Sequence, residues 1–249
     1  MAALHELVDY CDRLLQADAF QDYCPNGLQV EGRGEVRLVV SGVTACQALI
    51  DAAAEAGADL LLVHHGFFWK GEPQPLVGMK GRRIRRLIES GMSLLAYHLP
   101  LDAHEALGNN AQLAERLGLH PEGRLDEQGI GWMGRVEAET SLAELAARVA
   151  QVLGREPLAI DGGGHPIRRI GWCSGAAQSW IDRAADAGLD AFLSGEVSEQ
   201  TVHVARERGI HYLACGHHAT ERYGVQALGA RLAAEFGLEH RFVDIDNPV

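Results

Sequence analysis

Two stretches of the chain resemble each other in the manner of an internal repeat, more closely than the chance spacing of glycines in an alanine-rich chain accounts for. IDAAAEAGADLLLVHHG (residues 50–66) and IDRAADAGLDAFLSGEV (residues 181–197) align without a gap, setting Asp51, Gly57 and Asp59 on Asp182, Gly188 and Asp190. A second pair follows, ESGMSLLAYHLPLD (89–102) on ERGIHYLACGHHAT (207–220), and both halves close with similar helical segments, GNNAQLAERLGL (108–119) and GVQALGARLAAEFGL (224–238). Within each copy an apolar strand follows a helix and precedes another, with strands expected at 38–42, 59–63 and 93–97 and helices at 47–56 and 82–90. Strands that alternate with helices pair in parallel. The expectation is an α/β fold of two related lobes, residues 1–124 and 125–249. Residues 124–166 have no counterpart in the first half and add a strand in GIGWMGRVEAE and a tight turn at DGGGHP. The glycine run of that turn lacks the spacing and following helix of a phosphate loop.

In open parallel sheets functional groups collect beyond the carboxyl ends of the strands. The polar residues of the repeat sit there, so a site is expected between the lobes. LLVHHG ends in His64, His65 and Gly66; successive strand residues face opposite ways, so both histidines serve one site only if the chain turns, as Gly66 permits. YHLPLDAH supplies His98, Asp102 and His104, with Pro100 fixing an extended turn. GHHATE supplies His217, His218 and Glu221; His217 and Glu221 are i,i+4 and share a helix face. His64, His65, Asp102, His217 and Glu221 make three imidazoles and two carboxylates, a donor set suited to divalent Zn, Fe or Mn. Five ligands exceed one open zinc site and suffice for two ions bridged by carboxylate. The rival reading, imidazoles paired with carboxylates in a polar core, weighs most for His98 and His104. His5, His120, His165 and His240 read as structural or solvated.

Composition excludes several classes. No apolar run approaches a membrane span and the amphipathic N-terminus is unlike a secretory signal, so a cytoplasmic protein is expected. Five widely spaced cysteines without a C-x-x-C pair indicate neither disulfides nor a thiolate zinc site. The net charge of −12 opposes broad nucleic-acid binding, with one basic exception at MKGRRIRR (79–86), read as a solvated face or subunit contact.

The motifs YCPNGLQVEG (23–32), SGVTACQALID (41–51), VHHGFFWKGE (63–72), HLPLDAHEALGNNAQLA (98–114), LSGEVSEQTVHVARERG (193–209) and GHHATERYGVQALG (216–229) cover most of the chain. Together they resemble the Nif-three-like dinuclear-metal family, often labelled GTP cyclohydrolase I type 2-like, and within it the bacterial YbgI group. The resemblance implies two divalent ions per subunit on the five residues above and a homohexameric ring, with the Phe67-Phe68-Trp69 run taken as exposed and in need of cover. LSGEVSEQ departs from the widespread pattern, which has an aspartate and a histidine pair where this chain has Glu196 and Glu199-Gln200. The expected function is metal-dependent hydrolysis of a nucleotide or small phosphorylated substrate, with His98 moving protons. The alternative is a non-enzymatic, metal-stabilised interaction protein.

Overall fold

The computed structural model describes residues 1–249. In chain order the elements are β1 (Ala2–Ala3), α1 (Leu4–Leu15), β2 (Gly27–Val30), β3 (Glu35–Val36), β4 (Leu38–Thr44), α2 (Gln47–Glu55), β5 (Leu60–His65), α3 (Gly78–Ser90), β6 (Ser93–Ala96) and α4 (Leu99–Ala103). They continue with α5 (Asn109–Leu117), β7 (Leu119–Arg124), β8 (Trp132–Thr140), α6 (Leu142–Leu153), β9 (Leu158–Ile160), β10 (Ile167–Cys173), α7 (Ile181–Asp186), β11 (Ala191–Ser194), α8 (Glu199–Arg208), β12 (His211–Ala214), α9 (His217–Phe236) and β13 (Glu239–Phe242). The expected α/β alternation is present. Each expected strand and helix of the first half is found, and α3 begins four residues earlier than its expected start at 82.

The chain divides into two compact units: residues 1–107 with 224–246, and residues 108–223 with 247–249. The first unit holds a five-stranded sheet ordered β13-β4-β5-β6-β2. Its central strands β4, β5 and β6 are parallel and buried on both faces. Val39, Leu60, Leu62 and Leu95 point to a core shared with α1 and with Val225, Leu228 and Leu232 of α9. Their neighbours Val40, Leu61, Val63 and Leu94 point to the opposite core, with Leu49, Ile50, Ile84 and Leu87 of α2 and α3. This two-sided burial explains why LLLV reads as a continuous apolar run rather than an alternation.

The second unit holds a six-stranded sheet ordered β7-β8-β10-β11-β12-β9, with β10, β11 and β12 parallel. Ile170, Trp172, Ala191, Leu193 and Leu213 pack there against Leu113 and Leu117 of α5 and Leu145 and Val149 of α6. The unpaired segment does supply the strand β8, which joins β10 antiparallel. DGGGHP is a turn in which Asp161 Oδ1 accepts the N–H groups of Gly163 and Gly164.

The repeat is conformational as well as textual. Leu60 pairs with Ser93 across β5–β6 and its counterpart Ala191 pairs with His211 across β11–β12. Asp59 Oδ2 accepts the N–H groups of Arg37 and Leu38, and Asp190 Oδ2 those of Arg168 and Arg169. These aspartates therefore close the entrance to the central strands, where the backbone N–H groups would otherwise be left without a partner.

The expected boundary between residues 124 and 125 requires correction. The strand β7 pairs with β8, and α5 buries Leu113 and Leu117 in the second unit's core, so residues 108–124 belong there. Conversely β13 pairs in parallel with β4, from Glu239 on Leu38 to Phe242 on Ser41, so the chain's last strand belongs to the first unit. The units are not two contiguous halves. The single helix α9 gives His217 and Glu221 to the second unit and Val225, Leu228 and Leu232 to the first.

Candidate metal centre

In the first unit the strands β5 and β6 bring three imidazoles together. The rings of His64 and His65 lie 4.6 Å apart, His64 and His98 5.1 Å, and His65 and His98 5.7 Å. One ring nitrogen from each falls within 4.8 Å of the others. His64 is completely buried, and its Nε2 stands 3.5 Å from a carboxylate oxygen of Asp102, itself 4% exposed. Asp102 arrives on the short helix α4. Pro100, expected in an extended turn, instead occupies the first turn of that helix, where its missing N–H removes no intrahelical bond. Gly66 does not act through a left-handed turn; a Cβ there would come within 2.1 Å of Gln29 Oε1 and 2.8 Å of Ala96 Cβ. It is needed for space.

The ring nitrogens facing away from this cluster are fixed by the chain. His64 Nδ1 donates to the Tyr97 carbonyl at 2.9 Å. His65 Nδ1 lies 3.1 Å from the Thr44 hydroxyl, its neighbour across β4–β5. His98 Nδ1 meets Asp22 Oδ1 at 2.7 Å. A carbonyl and a carboxylate only accept, so His64 and His98 carry the proton on Nδ1 and turn the Nε2 lone pair to the cluster.

Asp22 was not legible as a site residue, yet it accepts several hydrogen bonds beside His98. Besides His98 it accepts from Asn26 Nδ2 at 2.9 Å and from the N–H groups of Tyr23 and Leu99 at 2.6 and 3.0 Å. Asn26 Oδ1 in turn accepts the His98 N–H at 2.7 Å. Burial pushes the Asp22 carboxyl up, but the hydrogen bonds and charge of His98, with Asn26 and the Leu99 N–H, outweigh it and hold the group at about 2. The folded value is thus below the ordinary carboxylate value near 4. Its contribution to stability is complete above that value and is lost as pH falls through about 4 to 2. In metal-free protein, wild type is expected to exceed Asp22→Asn by about 2 kcal/mol at pH 5, with the gap closing toward pH 2. Urea unfolding along that series checks it, and a gap that does not narrow refutes the assignment.

In the second unit α9 presents His217 and Glu221 on one face, as their spacing predicts. Nε2 of His217 is 3.2 Å from Glu221 Oε2, and Nδ1 is 2.8 Å from Glu196 Oε1. Burial disfavours the charged imidazole, yet Glu221 and Glu196 together raise His217 to about 9. Glu196 is itself tied to Gln178 Nε2, at 3.4 Å, and lies just past β11 at the position that aligns with His65, the last residue of β5. The second copy thus supplies a carboxylate behind a histidine where the first supplies a histidine. Gly175 leaves the room: with φ +65°, a Cβ there would lie 2.3 Å from Glu221 Oε1 and 3.2 Å from His217 Nε2.

His104 is separated from this chemistry. Its Nδ1 accepts the N–H groups of Ala106 and Leu107, and burial lowers its pKa, so it folds the loop after α4. His240 bonds Ser41, and His165 stacks on the buried His211 at 4.1 Å, in keeping with their structural reading. Of the aromatic run taken as exposed, Phe67 is buried in its own unit at 4%, Phe68 is 38% exposed and Trp69 is half-buried. All five cysteines are free thiols.

The residues fit divalent ions by donor chemistry. The two carboxylates, Asp102 and Glu221, are 4% and 3% exposed beside imidazoles whose outer nitrogens are already engaged. That is the arrangement in which Nε2 is basic and correctly aimed.

The chain matches the model of Duf34/NIF3 (NGG1p interacting factor 3) over residues 2–248. It is 59% identical to a protein of Pseudomonas aeruginosa named GTP cyclohydrolase 1 type 2 homolog, covering 99% of this chain and 98% of that one. A Vibrio cholerae protein of the same name is 55% identical, over 94% and 95% of the two chains. Among solved structures, protein ybgI superposes with a TM-score of 0.97 at 47% identity, and a Thermus thermophilus protein with 0.92 at 38%, each with full coverage of both chains. The chain belongs to the Duf34/NIF3 family.

Proposed function

We propose that the protein is a metal-dependent hydrolase of a nucleotide or small phosphorylated substrate, with two divalent ions, Fe, Zn or Mn, held by His64, His65, Asp102, His217 and Glu221. The observation that carries the reading is that two of the proposed imidazoles are anchored through Nδ1 to a chain acceptor while Nε2 faces a buried carboxylate, His64 toward Asp102 and His217 toward Glu221. When bound, such a pair of ions lowers the pKa of water and polarises an electrophile. The chain's own contribution is orientation and proton traffic. His98 is held by Asp22 with its proton on Nδ1, so Nε2 can take a proton from a reacting group and return it to a leaving group. Glu196 holds His217 in the same tautomer. The name shared by the relatives, GTP cyclohydrolase 1 type 2 homolog, agrees with a nucleotide substrate.

The test is elemental analysis of protein purified without added metal, then a hydrolysis screen across nucleotides and small phosphoesters with and without the ion found. Two ions per chain and metal-dependent turnover are expected. Bound ions without turnover, and an assembly that falls apart on chelation, would favour the metal-stabilised interaction protein instead.

No helix is long and apolar enough to cross a membrane, and a cytoplasmic location fits the proposal. A homohexamer is proposed from the family. The exposed side chains of Leu76, Val77 and Met79, ahead of and at the start of the basic α3, offer a surface for contact with a second copy. Within α3, Lys80 pairs with Glu72 and Arg86 with Asp51, so part of the basic run is neutralised inside its own unit. Light scattering at micromolar concentration is expected to give six chain masses, and a monomer would refute the ring.

A further inference from the structure

We propose that Tyr23 and Trp69 form an aromatic rim beside His98 that receives a planar heteroaromatic ring, so that the substrate is recognised by a base-like ring rather than by its phosphate. Tyr23 is 63% exposed although its backbone is pinned on both sides, its N–H to Asp22 Oδ1 and its carbonyl to the Lys70 N–H, each at 2.6 Å. Its ring lies 6.5 Å from that of His98 at 61°. Trp69 meets the same imidazole at 5.0 Å and 81°, and His65 at 5.8 Å. These separations fall within the range over which aromatic rings attract by edge or face.

The loop that carries Trp69 is built to hold it. The indole Nε1 donates to the Gly66 carbonyl at 3.2 Å, and the N–H groups of Phe68 and Trp69 both donate to Glu72 Oε2. Glu72 is fixed by Lys80 at 3.0 Å, and Phe68 takes a left-handed φ of +66° that only a determined surrounding maintains. A single exposed aromatic is ordinary on a protein surface. Two that converge on one imidazole of a candidate reaction centre, each held by its backbone or indole nitrogen, are a surface for a third ring. The alternative of a phosphate cradle at the glycine run is closed, because Gly163 and Gly164 already give their N–H groups to Asp161.

The proposal rests on the imidazole cluster being the reaction centre, and its test keeps the two separable. Guanosine 5′-monophosphate, adenosine 5′-monophosphate and ribose 5-phosphate are titrated calorimetrically into metal-loaded protein, with metal per chain measured on every sample. The first two differ from the third by the ring, and all carry a phosphate, so direct phosphate–metal binding cancels. At least one nucleotide is expected to bind about tenfold or more tightly than ribose 5-phosphate, and Tyr23→Ala to cut that preference about fivefold or more, the low end of one stacking contact. Tyr23→Phe should restore it, and Trp69→Leu and Trp69→Phe should repeat the pattern with metal content unchanged. Equal affinity for all three ligands, no nucleotide binding below millimolar concentration, or a preference indifferent to Tyr23→Ala overturns the rim. Loss of metal without loss of ring preference would instead sink the hydrolase reading and leave the rim standing.

Discussion

His98→Ala is expected to keep its full complement of metal and its assembly while turnover falls by about 10²- to 10⁴-fold, the range of a positioned acid–base group. The expectation follows from the division of labour among the imidazoles. His64 has Asp102 at 3.5 Å and His217 has Glu221 at 3.2 Å, each a carboxylate able to share a cation. His98 instead has Asp22, whose oxygens are already taken by Tyr23, Asn26 and Leu99. A carboxylate so occupied orients a base and is poorly placed to ligate. The measurements are metal per chain by atomic spectroscopy and turnover on whichever substrate the screen returns. Asp22→Asn sharpens the test, since an amide nitrogen turned to Nδ1 would favour the opposite tautomer and block Nε2, as when the orienting aspartate of a serine protease is replaced. If His98→Ala loses an ion, His98 is a ligand, and the closeness of its ring nitrogen to those of His64 and His65 takes on that meaning.

The fold was legible wherever the chain repeats itself. Aligning Asp59 with Asp190 and Gly91 with Gly209 located β5, β6, β11 and β12, and the structure gives both pairs of strands one register. Those residues carry recurrent signals, an aspartate that binds the entrance of the preceding strand and a glycine that ends a helix in the left-handed region, so they survive as a pattern in one dimension. The strand β13 does not. Four residues, EHRF, half-exposed and without strong alternation of apolar side chains, pair with a strand some two hundred positions earlier. Nothing in their own composition names that partner, and the contiguous lobe boundary failed for this reason.

The site divides along the same line. His64, His65, Asp102, His217 and Glu221 stood out because they lie at strand ends or at helical spacing, and the structure sets His64 beside His65 and Asp102, and His217 beside Glu221. The carboxylates that orient His98 and His217 were hidden because each acts across a long separation through one side chain. Asp22 reaches His98 over 76 positions and Glu196 reaches His217 over 21. The departure at Glu196 from the widespread family pattern was visible. What it does, setting a carboxylate behind the His217 imidazole, needed the geometry.

Glu221→Gln tests the other half of the site. An amide oxygen keeps the shape but loses the charge that would neutralise two cations, so metal affinity is expected to fall more than about 100-fold, beyond the 10- to 100-fold typical of outer-shell partners. Proton competition complicates the number in a predictable direction. In the metal-free chain His217 titrates at about 9 because Glu221 and Glu196 outweigh its burial. At pH 7 a cation must therefore displace a proton, which costs wild type about 100-fold in apparent affinity. Removing Glu221 lowers that pKa and relieves part of this cost, so the wild-type advantage is smaller at pH 7 than at pH 9.5, where the ring is mostly neutral in both proteins. Chelator-buffered titrations at the two pH values read the difference directly. A variant that still binds two ions per chain with unchanged affinity at pH 9.5 refutes the bridging carboxylate. A loss that is instead largest at pH 7 would mean that Glu221 serves His217's proton more than the metal.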